Sequence, residues 1–231
     1  MTISRRTERS TGVPAWVDWI ILLIIVGAAV VSIQWMINSG SIGASLTSDS
    51  LLSWHIARSA GLTSYILFTA STLWGLFLTT RVIKDWTPGT VSLLLHATAS
   101  WLAVGLMVVH VGMLLFDKYY TYTIVDLFVP FIGPYRPFAV GLGILAAWLT
   151  VAITISFSLR KLIGQRAWRL LHYTSYLAFA LITVHGVLAG TDMTKPGMWV
   201  VIGGFAALIV GLLMWRIQRP GAQKTSAHKA S

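Results

Sequence analysis

Six long apolar stretches separated by short polar or basic segments dominate the chain. Within each stretch the apolar residues are continuous rather than alternating, which predicts α-helices and not the strands of a membrane barrel. Each stretch is also long enough to cross a bilayer, which takes about 20 residues. We therefore predict an all-α, polytopic membrane protein, a bundle of six transmembrane helices at residues 16–37, 53–80, 91–116, 137–159, 168–189 and 197–215.

One connection, residues 117–137, fits neither a membrane span nor a polar loop. Its apolar part is interrupted by Asp126 and Pro130, which favours a short helix lying in the outer membrane interface. Tyrosine is typical of the headgroup level of a bilayer. The segment contains four such residues: Tyr119, Tyr120, Tyr122 and Tyr135.

The first apolar stretch, 16–37, has a cleaved signal peptide as its alternative interpretation, because arginines precede it and small residues follow it. Cleavage would leave five spans in an unchanged orientation. The apolar run exceeds the core of an ordinary signal peptide, so we predict a retained first span. Residues 218–231 are polar and basic, which predicts a disordered tail.

Composition and charge support a membrane location. The chain is 56% hydrophobic and only 10% charged, against about 25% charged residues in an average soluble domain. Its net charge of +10 comes from basic residues at span ends, which is a topology signal rather than a sign of nucleic-acid binding. The positive-inside rule predicts a plasma-membrane protein with both termini in the cytoplasm. Cysteine is absent, which excludes iron–sulfur ligation by this chain.

Four histidines lie inside two predicted spans, where an ionisable side chain is costly and usually functional. His96 and His110 are 14 positions apart on the third span, and His172 and His185 are 13 apart on the fifth. These separations correspond to rises of about 21 Å and 20 Å. Because the two spans run in the same direction, we predict that His96 pairs with His172 and His110 with His185.

Two imidazoles on facing helices can hold a haem iron from both sides. The chain has no cysteine for covalent attachment, so we predict two haem b groups between the third and fifth helices. Iron with both axial positions filled by protein transfers electrons and does not bind substrate. An ideal helix would rotate His185 about 140° away from His172. The fifth helix is therefore distorted, or the haems attach obliquely.

The histidines have two other interpretations. Single membrane histidines commonly form hydrogen bonds with neighbouring helices. This explanation is weaker here, because four histidines lie at matched depths. A non-haem metal site needs ligands that are close together, such as H-x-x-x-H or glutamate clusters. Neither pattern occurs in these two spans.

The histidine stretches resemble the ferric reductase-like transmembrane family, which includes the membrane part of NADPH oxidases and the haem-binding subunit of the periplasmic methionine sulfoxide reductase system. The matching sequences are HATASWLAVGLMVVH on the third span and HYTSYLAFALITVH on the fifth. The likeness covers about residues 53–192. It implies a six-helix fold and haem iron ligands at His96, His110, His172 and His185.

The family resemblance divides the chain into four predicted segments. Residues 1–15 are a cytoplasmic N-terminal segment, 16–52 the first transmembrane helix and outer loop, 53–217 the ferric reductase-like domain, and 218–231 the cytoplasmic tail. The haem propionates need cationic partners. Arg58 is the candidate for the outer haem, and Arg169 and Arg166 for the inner haem.

The electron donor and acceptor are expected on other molecules. The chain has no G-x-G-x-x-G phosphate loop, so we expect a partner flavoprotein or a membrane quinol as donor and ferric iron or a periplasmic or extracellular protein as acceptor. The alternative is a quinone-linked cytochrome b subunit of a larger complex. A third interpretation is a haemless structural or transport bundle. Whether the chain is itself an enzyme or a subunit of one stays open at this point.

Overall fold

The computed structural model describes residues 52–80 and 89–218. Within them all regular structure is helical, and we number the α-helices from the first one described. The helices are α1 (Leu52–Thr80), α2 (Gly89–Met113), α3 (Ile124–Phe128), α4 (Pro137–Ile163), α5 (Gln165–Tyr173), α6 (Ser175–Ala189) and α7 (Pro196–Gln218), with 3₁₀ turns at Leu114–Phe116 and Thr191–Thr194.

Five helical segments in these ranges are long and apolar enough to cross a membrane, with α5 and α6 together forming one of them. They match the predicted second to sixth spans to within a few residues, so the helical fold of the described residues and five candidate membrane spans are confirmed. The predicted first span, 16–37, and the predicted tail, 218–231, lie outside the described residues except for Gln218. The described residues all belong to one compact unit.

The bundle is held by two main helix pairs, α1 with α2 and α4 with α6, and α7 also contacts α1. Their shared core contains large apolar residues such as Phe68, Leu76 and Phe179, with the small Ala103 and Ala178 between them. Small residues let helices approach closely, which drives their association in lipid. The outward side of α2 is apolar and exposed, as a lipid-facing surface requires.

The connection between α2 and α4 contains the predicted short helix, α3. Thr123 caps it: the Thr123 side chain accepts a hydrogen bond from the Asp126 amide, while the Asp126 carboxylate accepts from the Thr123 amide. The segment packs back onto α4, since the Trp148 indole donates to the Phe128 carbonyl at 3.2 Å. We call the end of the bundle that contains residues 114–136 and 190–195 the loop end.

The fifth predicted span is interrupted at one residue. Helix α5 ends at Tyr173 and α6 begins at Ser175, with Thr174 forming a turn between them. The Thr174 amide donates to the Leu171 carbonyl, three residues back, at 3.0 Å, which is the tighter pattern of a 3₁₀ turn. The helix is therefore distorted between His172 and His185, one of the two expected possibilities.

Candidate functional site

The bundle brings the four membrane histidines together as two pairs. The ring centres of His96 and His172 are 6.1 Å apart, and those of His110 and His185 are 6.3 Å apart. The two planes of each pair are steeply inclined, at 73° and 74°. These are the pairs that the sequence spacings predict, and the His110–His185 pair lies nearer the loop end.

Three of the four rings form a hydrogen bond through Nδ1 to a backbone carbonyl of a neighbouring helix. His110 bonds to Ala57 at 2.7 Å, His185 to Ala139 at 2.8 Å and His96 to Ser71 at 2.9 Å. A carbonyl oxygen only accepts, so Nδ1 carries the hydrogen in each case. In a neutral imidazole this leaves the lone pair on Nε2, the arrangement usual for histidines that bind a metal.

His172 is held differently. Its ring stacks on Trp168 of the same helix, with ring centres 5.1 Å apart and planes inclined by 23°. Trp168 in turn meets Phe157 of α4 edge-on at 6.2 Å. The stacking fixes the plane of the His172 ring without specifying which nitrogen carries the hydrogen.

Two buried indole N–H groups, those of Trp74 and Trp168, have no hydrogen-bond partner among the described residues. Trp168 is the one that contacts a paired histidine, since its ring stacks on His172. Buried donors are nearly always bonded in folded proteins, so the Trp168 N–H is available to a ligand beside this pair.

At the loop end, a mostly apolar cavity of about 500 Å³ contains the His110–His185 pair. It extends from the bundle interior to the connection between α2 and α4. Its polar lining includes Arg58, Asp192, Tyr122 and Tyr135. This volume falls in the range of about 300–1,000 Å³ that is usual for cofactor pockets.

Arg58 is anchored by an ion pair at this cavity. Its Nε and Nη2 each donate a hydrogen bond to a carboxylate oxygen of Asp192, and Lys195 Nζ lies 3.1 Å from the same carboxylate. The guanidinium also covers the Trp54 ring, 4.8 Å from its centre. Sequence reasoning missed Asp192 as the partner, because the two residues are 134 positions apart.

The second predicted arginine, Arg169, lies on α5 and is exposed, as is Arg166. Neither lines the cavity at the loop end. Their predicted role toward an inner haem stays a prediction. Residues 52–80 and 89–218 contain no cluster of three or more histidine, cysteine or acidic residues that could hold a metal ion by themselves.

Comparisons with protein-family models, curated proteins and solved structures found no match to this chain. The resemblance to the ferric reductase-like family stays a prediction. The function must therefore be argued from the histidine pairs and their surroundings.

Proposed function

We propose that the protein binds a haem b at each histidine pair and conducts electrons across the membrane between them. The observation that carries this proposal is the distance within each pair. Two imidazoles on opposite sides of one metal, with metal–nitrogen bonds of about 2.1 Å and ordinary ring bonds, have centres about 6 to 6.5 Å apart. The observed separations are 6.1 and 6.3 Å.

The surroundings of the pairs support the same ligand. Two histidines alone are too few for a structural metal ion, which takes about four ligands, whereas a tetrapyrrole brings four nitrogens of its own. The cavity around His110 and His185 has the size for a flat cofactor. The buried indole N–H of Trp168, beside His172, would donate to a carboxylate such as those of the haem edge.

In this proposal the protein supplies binding and orientation. Nε2 of each histidine would bind the haem iron, and the Nδ1 hydrogen bonds of His96, His110 and His185 fix the ring orientation. A haem with two histidine ligands supplies one-electron transfer and has no open position for substrate. Arg58, already oriented by Asp192, would place positive charge beside the anionic haem edge at the loop end.

Charge placement supports an orientation for this transfer. Within the described ranges the three acidic residues, Asp117, Asp126 and Asp192, all lie at the loop end. Among the described residues the opposite end has five basic residues and no acidic one: Arg160, Lys161, Arg166, Arg169 and Arg216. By the positive-inside rule, these basic residues favour the cytoplasmic side for the His96–His172 pair. We infer a donor there, a flavoprotein or a quinol, and an acceptor such as ferric iron or a protein on the loop side.

The test is an optical spectrum of the protein purified in mild detergent, with haem quantified per chain. We expect b-type absorption from about two haems, and loss of about half of it in His110→Ala or His96→Ala variants. His55→Ala is the matched control, because the His55 side chain is exposed and lies outside both histidine pairs. Purified protein without haem would refute the proposal. Haem reduction by quinol without a flavoprotein would favour the alternative, a quinone-linked cytochrome b subunit.

A further inference from the structure

Three of the paired histidines rest directly against a glycine of the neighbouring helix. A Cβ atom built at Gly61 would lie 2.7 Å from Nδ1 of His110, and one at Gly143 would lie 2.7 Å from Nδ1 of His185. At Gly75 the nearest atom is Cε1 of His96, at 3.3 Å. Real Cβ contacts do not come as close as the first two, so any larger residue at Gly61 or Gly143 would displace the ring.

Each of these glycines stands four positions after the carbonyl that accepts the Nδ1 hydrogen bond. Gly61 follows Ala57, Gly75 follows Ser71, and Gly143 follows Ala139. In an α-helix, residues i and i+4 lie on one face, one above the other. A side chain at i+4 would therefore cover the carbonyl of residue i. Glycine leaves that oxygen open, and its second lone pair can accept from the histidine while the helix bond is kept.

The two glycines of α1 have the same spacing as the two histidines of α2. Gly61 and Gly75 are 14 residues apart, as are His96 and His110 on the antiparallel neighbour. On α4 the repeat is incomplete. Thirteen and fourteen residues after Gly143 the chain has Ser156 and Phe157, and Phe157 contacts the Trp168 ring on which His172 stacks.

We infer that Gly61, Gly75 and Gly143 are positioning residues, each opening a backbone carbonyl that orients one axial histidine and holds its hydrogen on Nδ1. This inference rests on the proposed function. A hydrogen bond from Nδ1 makes the imidazole a stronger donor to iron, which favours the oxidised metal. The His110–His185 site has two such bonds and the His96–His172 site one, so this effect lowers the reduction potential of the first site more.

The experiment compares Gly61→Ala and Gly143→Ala with Gly105→Ala in the full chain. The control glycine lies on α2, where an added Cβ would meet nothing within 4 Å. Haem content and the midpoint potential of each site are measured by redox titration, with the sites assigned through His110→Ala. We expect roughly 10- to 100-fold weaker haem retention at the His110–His185 site and an upward shift of its potential in the haem that remains.

The outcomes separate this inference from the proposed function. Haem-free wild-type protein would overturn both. Wild-type protein with two haems, together with Gly61→Ala and Gly143→Ala variants identical to the control, would overturn the inference alone. If Gly61→Ala and Gly143→Ala do not fold, Gly75→Ala decides, because its contact of 3.3 Å requires only a small shift of His96. An upward shift confined to the His96–His172 site supports the inference, and an unchanged potential overturns it.

Discussion

The ion pair between Arg58 and Asp192 connects α1 to the turn between α6 and α7, and replacing Asp192 with Asn should measure its contribution to stability. The side chains are 32% and 16% exposed, between the fully exposed pairs worth about 0.2–1 kcal/mol and the buried pairs whose disruption costs about 3–5 kcal/mol. We expect Asp192→Asn to lower the free energy of unfolding by about 1–2 kcal/mol. In a chain of this size that corresponds to about 2–8 °C in Tm.

The stabilisation by the Arg58–Asp192 ion pair should be lost at low pH. Desolvation alone would raise the pKa of Asp192, but hydrogen bonds and positive charge from Arg58 and Lys195 outweigh it and hold the pKa below its ordinary value of 3.8. The stabilisation is therefore complete above about pH 5 and is lost as the pH falls through the lowered pKa. Thermal unfolding in detergent at several pH values tests this, and Lys195→Gln should have a smaller effect than Asp192→Asn, since Lys195 is 68% exposed. Equal Tm values for wild type and Asp192→Asn at pH 7 would refute the reasoning.

Two further predictions concern the connection between α2 and α4. A Cβ at Gly141 would clash with the Phe131 ring, so Gly141→Ala should lower the free energy of unfolding by about 1–3 kcal/mol through overpacking. Gly105→Ala is the control in thermal unfolding, and equal effects of the two substitutions would contradict the contact. Burial first, and the charge of Asp117 second, raise the pKa of Tyr122 to about 12. Stability should therefore fall as the pH rises from about 10 to 12, and Tyr122→Phe should abolish that component of an alkaline titration.

The helices and histidine pairs could be predicted from the sequence because they follow from periodic features. Apolar runs give helix bounds directly, and spacings of 14 and 13 residues give the relative depths of His96, His110, His172 and His185. The short helix α3 has its own signal, since Thr123 and Asp126 form a capping box. These features depend on residues close in sequence.

The surroundings of the pairs could not be predicted in the same way. The acceptors for Nδ1 are backbone carbonyls, which any residue supplies, so Ala57 and Ala139 give no signal in the sequence. A glycine four residues after the accepting carbonyl is the one feature visible in the sequence. It becomes informative only when the histidine-bearing helix packed against it is known. The interruption at Thr174 has no proline or glycine to mark it. The partner of Arg58, Asp192, is separated from Arg58 by helices α2 to α6.

Electron transfer through sealed vesicles tests the central claim most directly. The purified protein is reconstituted into vesicles containing ferricyanide, a membrane-impermeant reductant is added outside, and loss of ferricyanide absorbance is followed. We predict that wild-type protein accelerates this loss, whereas His96→Ala and His110→Ala, each with one pair intact, do not. His55→Ala should behave as wild type. Wild-type vesicles no faster than protein-free vesicles, or histidine variants as fast as wild type, would contradict a path through both pairs.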